Sequence, residues 1–186
     1  IEAYLQFSSL KFVKGDLEEK KTIYKNNTQK IYDERSKFEF YKNLKKKYAE
    51  LSVPITVNMV SSSNQTKDMD FLPLSGISNT KTVHCNENGY FTTYESDRFG
   101  FNNNDEKWFS KKEKKVILLG DSFVHGACVF VKDSIAGILQ NLNPNTEIYN
   151  LAYSEHGPLE QLATLREYSD LIKPTNIIWF FFEGND

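Results

Sequence analysis

The sequence is short of cysteine, of basic excess and of long apolar runs, and each shortage removes a class of protein. Two cysteines, Cys85 and Cys128, are too few for a disulfide framework, and no Cys-x-x-Cys or Cys/His spacing suggests zinc. They read either as two unrelated small hydrophobes or as one bridge, tying the segment before the central strand to the turn after Ser122. A lone bridge would put the chain in an oxidising compartment. The net charge of −2, from 23 Lys/Arg against 25 Asp/Glu, argues against a nucleic-acid partner, whose footprint is a strong basic excess. Residues 1–50 hold 12 Lys/Arg against 8 Asp/Glu and the remainder 11 against 17; Lys45-Lys46-Lys47 reads as a solvated helix face. No apolar run approaches the ~18 residues of a transmembrane helix, and no signal peptide is visible. The chain opens on Ile1 rather than Met and stops at Asp186 directly after an apolar stretch. Both ends therefore read as cut, and a membrane attachment would sit in a segment ahead of residue 1. What is present, 39% hydrophobic and 14% aromatic residues in 186, suffices for a core and for one domain with an appendage.

The first hundred residues predict an α+β lead-in. Leu5, Phe7, Leu10, Phe12 and Val13 alternate partially, so residues 1–30 suggest a strand or extended arm. Tyr41, Leu44, Tyr48 and Leu51 lie on one face of a helix spanning 31–51, which Pro54 ends. Residues 55–60 predict a strand from their β-branched content, and 61–70 a loop. Lys81–Cys85 and Gly89–Glu95 predict a hairpin turning at Asn88-Gly89, since both residues tolerate positive φ.

From residue 115 the pattern changes. Val116 to Leu119 is a short unbroken apolar run closed by Gly120-Asp121-Ser122, the mark of a strand buried on both faces. A helix from an Asp133 N-cap to Leu142, a strand 146–152, a helix 158–173 and an apolar strand 176–182 follow. The second helix carries Leu162, Leu165, Tyr168 and Ile172 as its apolar stripe. Strand, helix, strand, helix, strand with apolar strands predicts an α/β fold with a parallel sheet and right-handed crossovers. Ligands of such sheets bind at the carboxyl ends of the strands. On that rim stand Gly120-Asp121-Ser122, then Tyr153 to Gly157, then Glu183 to Asp186: a hydroxyl, a glycine N–H and a side-chain amide. Acyl transfer needs those parts, a nucleophile and donors waiting where the oxyanion forms.

In these three stretches the chain resembles the SGNH (GDSL-type) hydrolase family. Gly120-Asp121-Ser122-Phe123 is similar to its first sequence block, Asn150 to Gly157 to its second, and Gly184-Asn185-Asp186 to its third. The softer Asp97 to Asn103 turn looks like lead-ins ahead of many bacterial members. The resemblance implies a three-layer α/β/α sandwich of SGNH, flavodoxin-like type, with residues 111–186 its N-terminal portion and 1–110 a helix and β-hairpin lead-in. It implies Ser122 as nucleophile, Gly157 (backbone N–H) and Asn185 (side-chain amide) as oxyanion donors, Asp121 and Asn150 as supports, and no cofactor or metal. The implied reaction is hydrolysis of an ester, of a lipid or an O-acylated carbohydrate, through an acyl-enzyme, in the cell envelope or anchored at a membrane rather than in the cytoplasm. An O-acetyltransferase acting on cell-envelope polysaccharide shares that chemistry, and an inactive glycan-binding module would share the fold.

The family's fourth block, Asp-x-x-His, is absent, so Ser122 lacks its activating base. His125 and His156 read as pocket or surface residues rather than as that base, and His84 has no claim. The catalytic His and its Asp are expected beyond residue 186. Other readings of the Gly120 turn fail on residues: 120–124 is not Gly-x-Ser-x-Gly, and no Gly-Lys-Ser/Thr or Gly-x-Gly-x-x-Gly follows a strand. Asp121 and Asp186 read as turn-orienting groups, not as a metal pair.

Overall fold

The computed structural model describes residues 17–57, 59 and 73–183. The described chain is mixed α/β with two small, mostly parallel sheets. The larger is formed by β4 (Lys114–Leu119), β5 (Thr146–Asn150) and β6 (Asn176–Trp179), all parallel, in the order β5-β4-β6. Sequence and structure agree here: the apolar run of β4 is the central strand, with a buried cluster on each face. Side chains alternate across it. Ile117 and Leu119 join Tyr149, Leu151 and Phe101 in one buried cluster, against which Leu165 and Tyr168 pack, and Ile172 closes it. Leu118 joins Ile148, Val124, Ala136 and Ala152 in another.

The β4–β5 crossover contains a one-turn helix α3 (Ser122–His125) and helix α4 (Ile135–Leu142). Ser134, not the expected Asp133, caps α4: its hydroxyl accepts from Gly137 N at 3.1 Å and donates to Val131 O at 2.7 Å. Asp133 ends a short 3-10 turn instead. The β5–β6 crossover is α5 (Pro158–Ile172), which starts on its proline and stops at Lys173 in the left-handed region, just before Pro174. Its buried face is Gln161, Thr164 and Ile172, flanked by Leu165 and Tyr168. Leu162, expected on the stripe, is exposed.

The smaller sheet pairs β1 (Leu51–Ser52) parallel to β2 (Lys81–Val83), and β2 antiparallel to β3 (Thr93–Glu95). The expected hairpin is present, with Thr82 opposite Tyr94 and Gly89 at φ +89°, although its loop is wide. Asn86 fills that loop, accepting from Gly89 N and donating to Asp33 O.

Three lead-in expectations are corrected. Residues Leu17–Thr28 form helix α1, not an extended arm; Glu18 and Glu19 in its first turn and Lys25 in its last favour the helix dipole. The alternating residues from Leu5 to Val13 lie outside the described residues. Helix α2 runs only Lys37–Lys45, from a Ser36/Glu39 capping box, and Leu51 belongs to β1. Tyr41 still reaches it, donating its hydroxyl to Leu51 O. Finally, Ile55 joins no strand: its N–H donates to the Tyr153 hydroxyl at 3.1 Å, and Val57 and Met59 are helical. Among the described residues no helix is long and apolar enough to cross a membrane.

Candidate functional site

Where β4 ends, the chain has no room for a side chain: a Cβ on Gly120 would meet Val124 Cγ2 at 2.6 Å. Asp121 then caps α3, its Oδ1 accepting from Phe123 N at 2.9 Å. Ser122 is the first residue of the turn and half-buried. Its carbonyl accepts from Ala127 N, while no described hydrogen bond engages its hydroxyl.

The carbonyls at the far end of α3 are satisfied from two directions, as buried carbonyls must be. Asn150, at the end of β5, donates its amide to Val124 O at 2.9 Å. Asn102 donates to His125 O at 3.0 Å. Asn103 clips the backbone of Asn150 through both its N–H and its carbonyl. These amides rest on Asp97, a buried carboxylate that accepts from Phe99 N, Phe101 N, Asn103 Nδ2 and Trp108 Nε1. Burial raises its pKa despite those four donors. Asn150 and Asp121 thus both brace the turn that begins at Ser122. The 97–103 turn is a foundation of the site, and the hub that makes it one, Asp97, carries no sequence signal beyond the surrounding turn residues.

Cys85 and Cys128 form a disulfide, so of the two readings the bridge holds. It ties the β2–β3 hairpin to the segment after α3.

The three histidines cluster behind this turn. His125 is fully buried; its ring stacks on Tyr153 at 4.7 Å and lies 4.6 Å from His84. His156 is also buried, so neither is a surface residue. Burial first, and the neighbouring His84 and His156 next, hold His125 well below the ordinary 6.5. His84 is pushed to about 4 by burial and by Lys37. His156 is lowered by burial, against the pull of Glu160 and the Pro73 backbone; neither of its ring nitrogens has a hydrogen-bond partner of good geometry.

The Gly157 N–H, expected as an oxyanion donor, is occupied. Gly157 N–H donates to the Glu160 carboxylate at 3.1 Å. This is the return half of a capping box, since glycine has no side chain to supply the other half. An N–H held by a carboxylate cannot serve an oxyanion until Glu160 leaves, and the Gly157–Glu160 spacing was the available signal. Gln161, buried on the first turn of α5, donates to His156 O at 2.9 Å and accepts from the Trp179 indole. It links the second strand end to the third. Gly184, Asn185 and Asp186 lie outside the described residues. An open cleft of about 680 Å³ is lined by Asn102, Asn103, Lys107 and Glu147 among others, and not by Ser122 or Gly157. No family model, curated protein or solved structure matches the chain.

Proposed function

We propose that the chain carries the nucleophile half of an SGNH-type serine esterase or acyl hydrolase. The observation that carries this reading is Ser122 itself. Its hydroxyl lacks a described hydrogen bond on a turn whose other polar groups are tied down, at the carboxyl end of the central parallel strand. Clusters on both faces of β4, one involving α4 and the other α5, support a three-layer α/β/α sandwich. In the proposed reaction the Ser122 oxygen bonds to the ester carbonyl carbon while its proton passes to a base. The alcohol leaves with a proton, and water releases the acid. His125 is held by Ser154 and Tyr94 and His156 is fully buried, so neither is taken as the base, a role the resemblance gives to the histidine of an Asp-x-x-His block. Gly157 and Asn185 would hold the oxyanion, Gly157 after Glu160 lets go. A transferase to cell-envelope polysaccharide differs only in the acceptor that replaces water. The disulfide supports an oxidising compartment such as the cell envelope.

Occupation of Gly157 N–H by Glu160 favours a second reading, a fold-keeping module that binds an acylated glycan without turnover. A serine-directed fluorophosphonate on the full-length protein separates the two. The esterase reading expects labelling that Ser122→Ala abolishes; no labelling, or labelling indifferent to Ser122→Ala, overturns it.

A further inference from the structure

His125 is the last residue of the turn that Ser122 begins, and its backbone N–H donates to Asp121 O. The two side chains therefore ride on one rigid helical turn. Across from it is the loop that leads to Gly157. Ser154 N–H, which can only donate, points at His125 Nδ1 at 3.3 Å. That fixes the tautomer: Nδ1 is bare, and the ring hydrogen sits on Nε2, facing the Tyr94 hydroxyl at 3.3 Å. With Nδ1 an acceptor, the Ser154 hydroxyl at 2.9 Å is a second donor to it. Both donors of a single residue, three positions ahead of Gly157, thus share the one Nδ1 lone pair of a buried imidazole.

We propose that His125 is a positioning residue: through Nδ1 it locks the β5–α5 loop to the Ser122 turn and so sets the distance between nucleophile and oxyanion donor. This rests on the acyl-transfer reading for its purpose, but the lock itself is a structural claim that can be tested apart from activity. Loss of the acceptor leaves two half-buried donors of Ser154 without their partner, whereas loss of the Tyr94 contact strands one polar tip.

The test is a set of substitutions at one position in the full-length protein. In His125→Asn the side-chain oxygen falls where Nδ1 was and accepts from Ser154. In His125→Gln the polar end lies near Nε2 and cannot. His125→Leu removes both. Two quantities are read: the rate of fluorophosphonate labelling of Ser122, and amide hydrogen exchange at residues 154–157. The expected result is His125→Asn within about threefold of wild type in both, with His125→Gln and His125→Leu labelling about tenfold slower and exchanging about tenfold faster, a factor in keeping with a net hydrogen bond or two. A residue that merely fills space would rank the larger Gln above Asn, and that order overturns the proposal. Unchanged labelling in a folded His125→Leu overturns it too. If His125→Leu does not fold, the Asn/Gln pair decides. If the wild type is not labelled at all, it is the acyl-transfer reading that fails. Exchange then decides the lock alone: faster in Gln but not in Asn upholds it, and equal exchange in both overturns it.

Discussion

β4 and β6 are neighbours in one sheet, written in nearly the same apolar alphabet, and they meet opposite surroundings. Ile117, Leu118 and Leu119 are at most 4% exposed, while Ile177, Ile178 and Trp179 are 40% or more exposed. Apolar composition does not bury a strand; what packs against it does. β4 has a partner on each side and a cluster on each face. Among the described residues β6 pairs with β4 alone. The contrast continues past the strand ends. The turn after β4 is held by Asp121, Asn150, Asn102 and His125, whereas Phe181 and Phe182 after β6 stand half exposed. Ser122 belongs to the finished side of the sheet.

Paired truncations break or sharpen that comparison most strongly. Leu118→Ala should cost about 3 kcal/mol in urea unfolding of residues 1–186, the range for emptying a packed site. Ile178→Ala should cost under about 0.5 kcal/mol, as exposed positions do. Comparable costs at the two positions would mean that β6 is covered in solution and that the contrast is unsound.

Acid is the next lever, because three buried histidines lie behind the turn that follows β4. His84, His125 and His156 are all held below 6.5 by burial, His84 at about 4. The unfolded chain takes up protons near pH 6.5 while the folded chain refuses them. Stability is therefore complete above pH 6.5 and falls as pH drops toward 4, with His84 alone accounting for about 3 kcal/mol. Asp97 acts in the opposite sense, its raised carboxyl favouring the folded state at the acid end of the window. His84→Phe, which keeps a ring beside Tyr94, should flatten the slope between pH 6.5 and 4 in urea unfolding. An unchanged slope would show that His84 titrates normally.

A smaller effect than either is expected at Glu160. Glu160→Ala loses a capping interaction worth about 1 kcal/mol yet frees Gly157 N–H, so thermal stability should fall while labelling of Ser122 rises about threefold. Labelling that falls together with stability would remove Gly157 from the oxyanion hole.

Sequence made legible what local pattern controls. The apolar run of β4, the Asn88-Gly89 turn, the proline that starts α5 and the Gly120-Asp121-Ser122 turn each declare themselves within a few residues. What stayed hidden depends on distant partners. Ile55 left its expected strand for a hydroxyl 98 residues on. Leu51 left its helix for a strand that pairs with β2. On α5, Leu165, Tyr168 and Ile172 of the expected stripe face the core and Leu162 does not, because the buried start of the helix is Gln161 and Thr164, polar residues satisfied by His156 O and Glu160 O. At the site, Ser122 could be read from its turn. The tie between His125 and Ser154 could not, since it spans 29 residues that include α4 and β5.

The Cys85–Cys128 disulfide has a topological consequence. Residues 85 to 128 form a covalent ring, and β3, Asp97, β4 and Ser122 all lie within its circumference. A protease that nicks this ring at one place opens it without dividing the molecule, and the halves part only under a reductant. Ser122 and the turn that supports it thus stay in one covalent piece through any single cut within the ring.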